Sequence, residues 1–317
     1  MTRSRIAQKG AALLVAMVVL TLVSTLAAGM VWQQARAIEV ESAERTRAQA
    51  AWILTGALDL GRVLLRIDAR KPGVDDLNEV WATELEEASL SSLLAQDRNN
   101  NVEGAPEAFL RGRIRDAQDR YNLRNLVDPA THKIVEAELA ALTRLCETAA
   151  VAPETAQTLA SGLQAALQAE KPGEGEANAG AILLPQTVDQ LVWFGLDADT
   201  VRRLQPYVGL LSEPTPLNVN TASAEVIAGV IAGLDLGSAK RIVNRRPFKA
   251  LQDLRSDIPG EGALDAKRLS VNSNYFEISG RLRMDGRVLE ERMLVKRANR
   301  QVVTQARSRQ SLQPGQD

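Results

Sequence analysis

Residues 11–31, AALLVAMVVLTLVSTLAAGMV, carry no charged side chain and follow directly on Lys9-Gly10. As a helix, 21 residues rise roughly 31 Å, enough to cross the hydrocarbon core of a bilayer. Arg3, Arg5 and Lys9 precede the run and mixed charges follow it. That asymmetry keeps the first ten residues in the cytoplasm and sends the rest across. Three fates fit such a run. A cleaved secretory signal has a shorter apolar core ending in small residues, which Ala27-Ala28-Gly29 mimics. A plain membrane anchor keeps the run uncut. A third fate is a cut before the run, between Gly10 and Ala11.

The third arrangement, a short basic leader ending in glycine and then an uninterrupted apolar helix, resembles the type IV prepilin signal. The body must decide among the three. The 317 residues suffice for two domains. Lys and Arg number 38 against 39 Asp and Glu, so no global charge points to nucleic acid or to acidic substrates. Cys146 is the only cysteine and His132 the only histidine. An intrachain disulfide, a CxxC site and most zinc sites are thereby excluded. A Ser-His-Asp triad would need His132, which sits in a polar turn, Pro129-Ala130-Thr131-His132-Lys133.

Beyond Val31 the helical pattern continues without proline to Ile67. Ile38, Ala50, Ile53, Leu54, Leu58, Leu60, Val63, Leu64 and Ile67 recur mostly at helical spacing, with Glu41, Glu44, Arg45 and Arg47 on the polar face. One helix over 11–66 is expected, membrane-spanning over 11–31 and amphipathic beyond, and ended by Lys71-Pro72-Gly73. Asp97–Pro106 reads as a solvated loop, since its Asp, Asn and Glu do not follow EF-hand spacing. Phe109–Leu126 reads as strand, turn, strand, with Asp116-Ala117-Gln118-Asp119 as the turn.

From Ile134 to Glu170 the composition favours helix, and 171–180 is a linker by composition. Asp197 or Asp199 can cap a helix over the residues that follow. The most motif-like internal segment is Asn218-Val219-Asn220-Thr221-Ala222. There Asn220 or Thr221 caps a helix starting near Ala222, with Glu225 placed for a capping box. Gly233-Leu234-Asp235 and a second helix from Leu236 follow, and the whole resembles a helix-hairpin-helix unit. Such a turn can present N–H groups to a phosphate. Against that use, Lys240, Arg241, Arg245, Arg246, Lys249 and Arg255 are offset by Glu225, Asp235 and Asp253, and Asp235 at the turn repels an anion.

Alternating apolar residues over 275–283 and 288–297, joined through Asp285-Gly286, predict a β-hairpin. The Gln-, Arg- and Ser-rich tail 298–317 is expected to be disordered. No two-stranded hairpin is stable alone, so the separated strands are expected in one sheet packed on the amphipathic half of the long helix.

Element order and leader together resemble the minor pseudopilin K (GspK) family of bacterial type II secretion systems. The residues that carry the likeness are the leader and apolar helix, Asp116–Leu126, the Asn218–Ala222 segment within a helical insertion, and the closing hairpin. The implied fold is α+β: a pilin-like long N-terminal helix packed on an antiparallel sheet, with a large inserted all-helical domain of helix-hairpin-helix or SAM-like type. The expected division is a prepilin leader 1–10, a helix 11–66, a pilin-like body 67–133 and 269–297, and an inserted domain 134–268, before the tail. The resemblance further implies cleavage after Gly10 and a methylated amino terminus at Ala11. Val15 stands where most pilin-like subunits carry glutamate, as in the family member at the filament tip, which has no neighbour above it to neutralise. The helix-hairpin-helix-like segment is Asn218, Asn220, Thr221, Ala222 and Gly233.

The implied function is non-enzymatic: capping the pseudopilus tip to support protein export across the outer membrane. The expected partners are other minor pseudopilins, the major pseudopilin, the prepilin peptidase and inner-membrane lipid. The expected location is the inner membrane, single-pass, with a cytoplasmic amino terminus and a periplasmic bulk. No cofactor is expected. Some family members bind calcium, but no ligand set can be matched to this sequence. The competing reading is a membrane-tethered helix-hairpin-helix DNA-binding protein of competence type, and a nucleic-acid partner is disfavoured by the local charge.

Overall fold

The computed structural model describes residues 9–71, 73–95, 107–169, 183–260, 264–284 and 286–312. The leader residues 1–8, the loop call on 97–106 and the linker call on 171–180 lie outside them. Helix α1 (Lys9–Asp68) is one uninterrupted element of 60 residues. It is followed by β1 (Leu85–Ser89), α2 (Leu90–Ala95), β2 (Ala108–Asp116) and β3 (Tyr121–Asn122). Next come α3 (Glu136–Thr148), α4 (Glu154–Ala169), α5 (Ala198–Leu204), β4 (Val208–Gly209), β5 (Leu217–Asn218), α6 (Ala224–Val230) and α7 (Leu236–Asn244). The chain closes with β6 (Leu269–Ser270), β7 (Tyr275–Met284), β8 (Arg287–Ala298) and β9 (Gln301–Leu312).

Five strands form one antiparallel sheet in the order β1-β2-β7-β8-β9. Ile114 pairs with Ile278 and Ile278 with Met293, which lines these side chains along one face. The C-terminal end of α1 packs on that face. Leu58 and Leu65 are buried in one cluster with Ile114, Phe276, Ile278, Met293 and Val295. Gly61 lies between them on the helix, and a Cβ there would stand 2.7 Å from Ile278 Cγ2. Helix and sheet approach so closely only because this position has no side chain. Trp81 completes the cluster, edge-on to Phe276 at 5.1 Å.

Three expectations need correction. Phe109–Leu126 does contain strand, turn and strand, but the two strands do not pair as a hairpin. Both edges of β2 are taken, by β1 and β7, so the chain after the turn has no strand to return to. Tyr121-Asn122 pairs instead in parallel with Val208-Gly209. The tail is not disordered over 301–312 but forms the edge strand β9. Asn299 and Arg300 both have positive φ, at 50° and 65°, and make a two-residue turn that matches strand twist. Val302 is buried, and the buried Glu291 is paired by Arg307 and Arg309. Finally, residues 121–133 do not belong to the sheet body. Tyr121, Leu123, Leu126 and Val127 share one core with α3, α4 and α6, as do Leu269 and Val271.

That second core is tight. Gly229 on α6 faces α3, and a Cβ there would lie 2.3 Å from Leu145 Cδ2. Leu145 is fully buried and has no room to yield. Gly229→Ala is therefore expected to destabilise the protein by about 1–3 kcal/mol, although alanine favours helix. Urea unfolding of the detergent-solubilised protein measures this, and a stabilised variant would contradict the packing described.

Candidate functional site: an exposed apolar helix and a buried polar junction

Two regions carry what this chain can do. The first is the N-terminal half of α1. Ala11 and Val15 lie exposed on the helix, and Gly10 lies within its first turn. Every residue from 11 to 31 is exposed, including Leu13, Leu14, Leu20, Leu22 and Leu26. A helix of this length and composition qualifies as a membrane span. Thr21 and Thr25 donate their hydroxyl protons to the Val18 and Leu22 carbonyls, both at 2.9 Å, so neither leaves a polar group unsatisfied in lipid.

The second region is a buried junction where β2, the segment before α6 and the segment before β7 converge. Asp116, at the end of β2, is fully buried. Its Oδ2 accepts from Ser273 Oγ at 2.5 Å, Thr221 Oγ1 at 2.6 Å and Asn218 Nδ2 at 2.9 Å. Its Oδ1 accepts from the Gln118 N–H at 2.7 Å. Among the described residues no cation pairs with it. Burial raises its pKa from 3.8 to about 6, against the hydroxyls of Ser273 and Thr221, which lower it. Asn218 Nδ2 also donates to the Asp75 carbonyl at 3.0 Å, which ties the segment after α1 to the same point.

Around this centre the polar side chains of 116–125 clamp the loops that lead into and out of the helical lobe. Gln118 Nε2 donates to the Pro216 carbonyl at 2.8 Å, and its Oε1 accepts from the Asn274 N–H at 2.6 Å. Asn122 bridges the Leu211 N–H and the Glu213 carbonyl. Asn125 pairs with both backbone groups of Thr215. The sequence singled out the spacing of this segment but not its purpose. Its Asp, Gln and Asn residues supply side-chain partners for backbone that belongs to no helix or sheet.

The Asn218–Ala222 segment is thus interior. Asn218, Asn220 and Ala222 are fully buried and Thr221 nearly so. Asn220 pairs with both backbone groups of Phe248, at 2.9 and 3.0 Å. The cap of α6 is Ser223, not Asn220 or Thr221, whose side chains are spent inward. Gly233 has φ +76° in the turn between α6 and α7. Asp235 caps α7 and accepts from the Ser238 N–H and hydroxyl. These bonds, the hydroxyl first, hold its carboxyl below the usual range. A carboxylate already occupies the helix end where a phosphate would sit, which argues against the DNA reading.

Asp68, Asp75 and Glu79 form the metal-like cluster among the described residues, with their oxygens within 4.8 Å of one another. This donor set does not fit calcium. The Arg297 guanidinium already lies in it, with Nη2 shared between the two Asp75 oxygens at 2.5 and 2.6 Å and Nη1 donating to Asp68 at 2.8 Å. Arg297 also donates to the Ser273 carbonyl, joining this ion-pair group to the Asp116 junction. Glu79 is raised to about 7, by burial first and then by the charges of Asp68 and Asp75, while its bond from Trp81 opposes the shift.

Two models of the type II secretion system protein K family match residues 119–213 and 217–272, within the helical lobe and part of the segments that flank it. A type II secretion system protein K from Pseudomonas aeruginosa is 29% identical over 295 residues, covering 86% of this chain and 83% of that protein. One from Pectobacterium carotovorum subsp. carotovorum is 25% identical over 322 residues, covering 92% and 93%. The crystal structure of the GspK-GspI-GspJ complex from enterotoxigenic Escherichia coli contains a chain with the same fold. Its TM-score is 0.64 at 18% identity, covering 84% of this chain and 98% of that one.

Proposed function

We infer that this chain, which belongs to the type II secretion system protein K family, is a minor pseudopilin whose role is assembly at the pseudopilus tip in support of protein export. The observation that carries this reading is the continuity of α1. Its exposed apolar half runs without a break into a half whose Leu58, Gly61 and Leu65 pack on the sheet. A signal peptide would be cut away from such a body, and a passive anchor would not share a helix with its core. Other minor pseudopilins are the partners. The relatives are secretion-system components, so the work is structural rather than catalytic.

Four finer points belong to the proposal. A prepilin peptidase cuts between Gly10 and Ala11, and Ala11 becomes the methylated amino terminus. Val15 leaves the first helical turn without a carboxylate, as suits a subunit with no neighbour above it, because an unpaired buried charge is costly. The helix contacts the major pseudopilin and inner-membrane lipid, with the bulk of the chain in the periplasm. No cofactor is assigned.

Mass spectrometry of the chain from its native membrane tests the processing. A methylated Ala11 is the expected amino terminus. A start near Gly29 would mean ordinary secretion, and an intact Met1 a simple anchor. Val15→Glu is expected to leave processing unchanged, because cleavage depends on Gly10, and to reduce export, because it adds a carboxylate without a partner. Unchanged export in Val15→Glu would remove the argument for a tip position.

A further inference from the structure

We propose that Trp32 and Arg36 form a binding site for phospholipid headgroups where α1 leaves the bilayer, fixing the depth of the helix. This rests on the membrane-anchored reading above. Residues 10–35 contain no charged side chain, and Lys9 and Arg36 bound that run. Cleavage after Gly10, as proposed above, removes Lys9 and leaves the amino terminus of Ala11 as the charge at that end. On a continuous helix Ala11 and Arg36 are roughly 37 Å apart, more than the hydrocarbon core and within the thickness of a bilayer with its headgroup layers. With the Ala11 amino terminus at one headgroup layer, Arg36 reaches the other.

Trp32 is the first aromatic residue after the apolar run and is 65% exposed. An indole at this depth prefers the membrane interface, where its ring is apolar and its N–H finds a partner. The Arg36 guanidinium lies over that ring, 5.6 Å from its centroid. Among the described residues no hydrogen bond or ion pair engages the guanidinium N–H groups, which can make two parallel bonds to a phosphodiester. Among the described residues no carboxylate pairs with Arg36, whereas Arg45 on the same helix is held by Glu41 at 2.9 Å. An arginine left unpaired one helical turn beyond an interfacial tryptophan has the chemistry of an anionic headgroup ligand. The contact would resist withdrawal of the anchor and must break when the helix leaves the bilayer.

The test uses the full-length protein in vesicles of phosphatidylethanolamine and phosphatidylglycerol. Vesicle flotation is read first. The difference in emission between the protein and its Trp32→Phe variant isolates Trp32 from the other tryptophans. It is measured in lipids brominated near the headgroup and in lipids brominated at mid-chain. Trp32 is expected to be quenched more strongly by the shallow bromines. In Arg36→Glu and Arg36→Ala the ratio of shallow to deep quenching is expected to fall about five-fold, while Arg36→Lys keeps most of it. Identical ratios in all variants, or quenching of Trp32 by aqueous iodide alone, would overturn the proposal. Loss of the shallow signal on adding inorganic phosphate would reassign the site to a soluble anion. Failure of the unmodified protein to float would overturn the anchored reading itself, which separates the two.

Discussion

Replacing Arg297 with methionine is expected to cost about 3–5 kcal/mol of folding stability, the range for removing one partner from a buried ion pair. The substitution keeps most of the apolar stem but leaves Asp68, Asp75 and Glu79 facing one another with no cation among them. Asp75 is 5% exposed as a side chain and Asp68 17%, so water does little to screen them. Arg297 also donates to the Ser273 carbonyl and stacks on Phe276 at 4.7 Å, so its loss reaches both the junction and the sheet core. Urea unfolding of the detergent-solubilised protein gives the size of the loss. Adding Asp75→Asn to Arg297→Met should recover part of it, because only the repulsion between Asp68 and Glu79 then remains. A double variant no more stable than the single one would show that packing, not charge, explains the loss.

Asp116 is expected to make the protein more stable as the pH falls from 7 towards 4. Its folded pKa, about 6, lies above the ordinary 3.8, so the folded state holds the proton more tightly than the unfolded chain. The contribution is fully present below pH 3.8 and is lost as the pH rises through 6. The shift corresponds to about 3 kcal/mol between those limits. Glu79 acts with the same sign near pH 7, so the measurement compares unfolding free energies of the unmodified protein and Asp116→Asn across this range. Asparagine can keep its oxygen towards Ser273, Thr221 and Asn218 but turns an NH2 group against the Gln118 N–H. It therefore lowers stability at every pH, and the readout is the slope. Equal slopes in the two proteins would show that Asp116 does not titrate in this window.

The cost of an ionised Asp116 accompanies a specific service. One carboxylate gathers three donors that each lie more than a hundred residues from it in sequence, and so sets the lobe against the sheet. Little of this was legible beforehand. Asn218 and Thr221 stand out as part of a helix-hairpin-helix-like segment, in which Asn220 or Thr221 would serve a local cap. The structure turns them inward because a stronger partner, a buried carboxylate, comes from β2. Gln118 was read only as part of a turn, and Ser273 and Arg297 carried no motif, since each bonds groups distant in sequence. The β9 strand did leave a trace, in Asn299-Arg300 followed by Val302-Val303, but polar composition outweighed it. Only pairing with β8 and the burial of Glu291 convert that segment into a strand.

By itself, then, the sequence determined the features that repeat along the chain. An uncharged run of bilayer length, a helical period continuing past it, and alternating strands on either side of Asp285-Gly286 are local patterns, and the continuous helix and the paired strands are present in the structure. Tertiary structure alone decided where the segments after β2 and before β7 belong, because edges of a sheet are filled from elsewhere in the chain. It also decided whether a polar residue caps its own helix or serves a distant backbone. Those outcomes depend on which partners burial brings within hydrogen-bonding distance, a property of the folded chain rather than of its spacing.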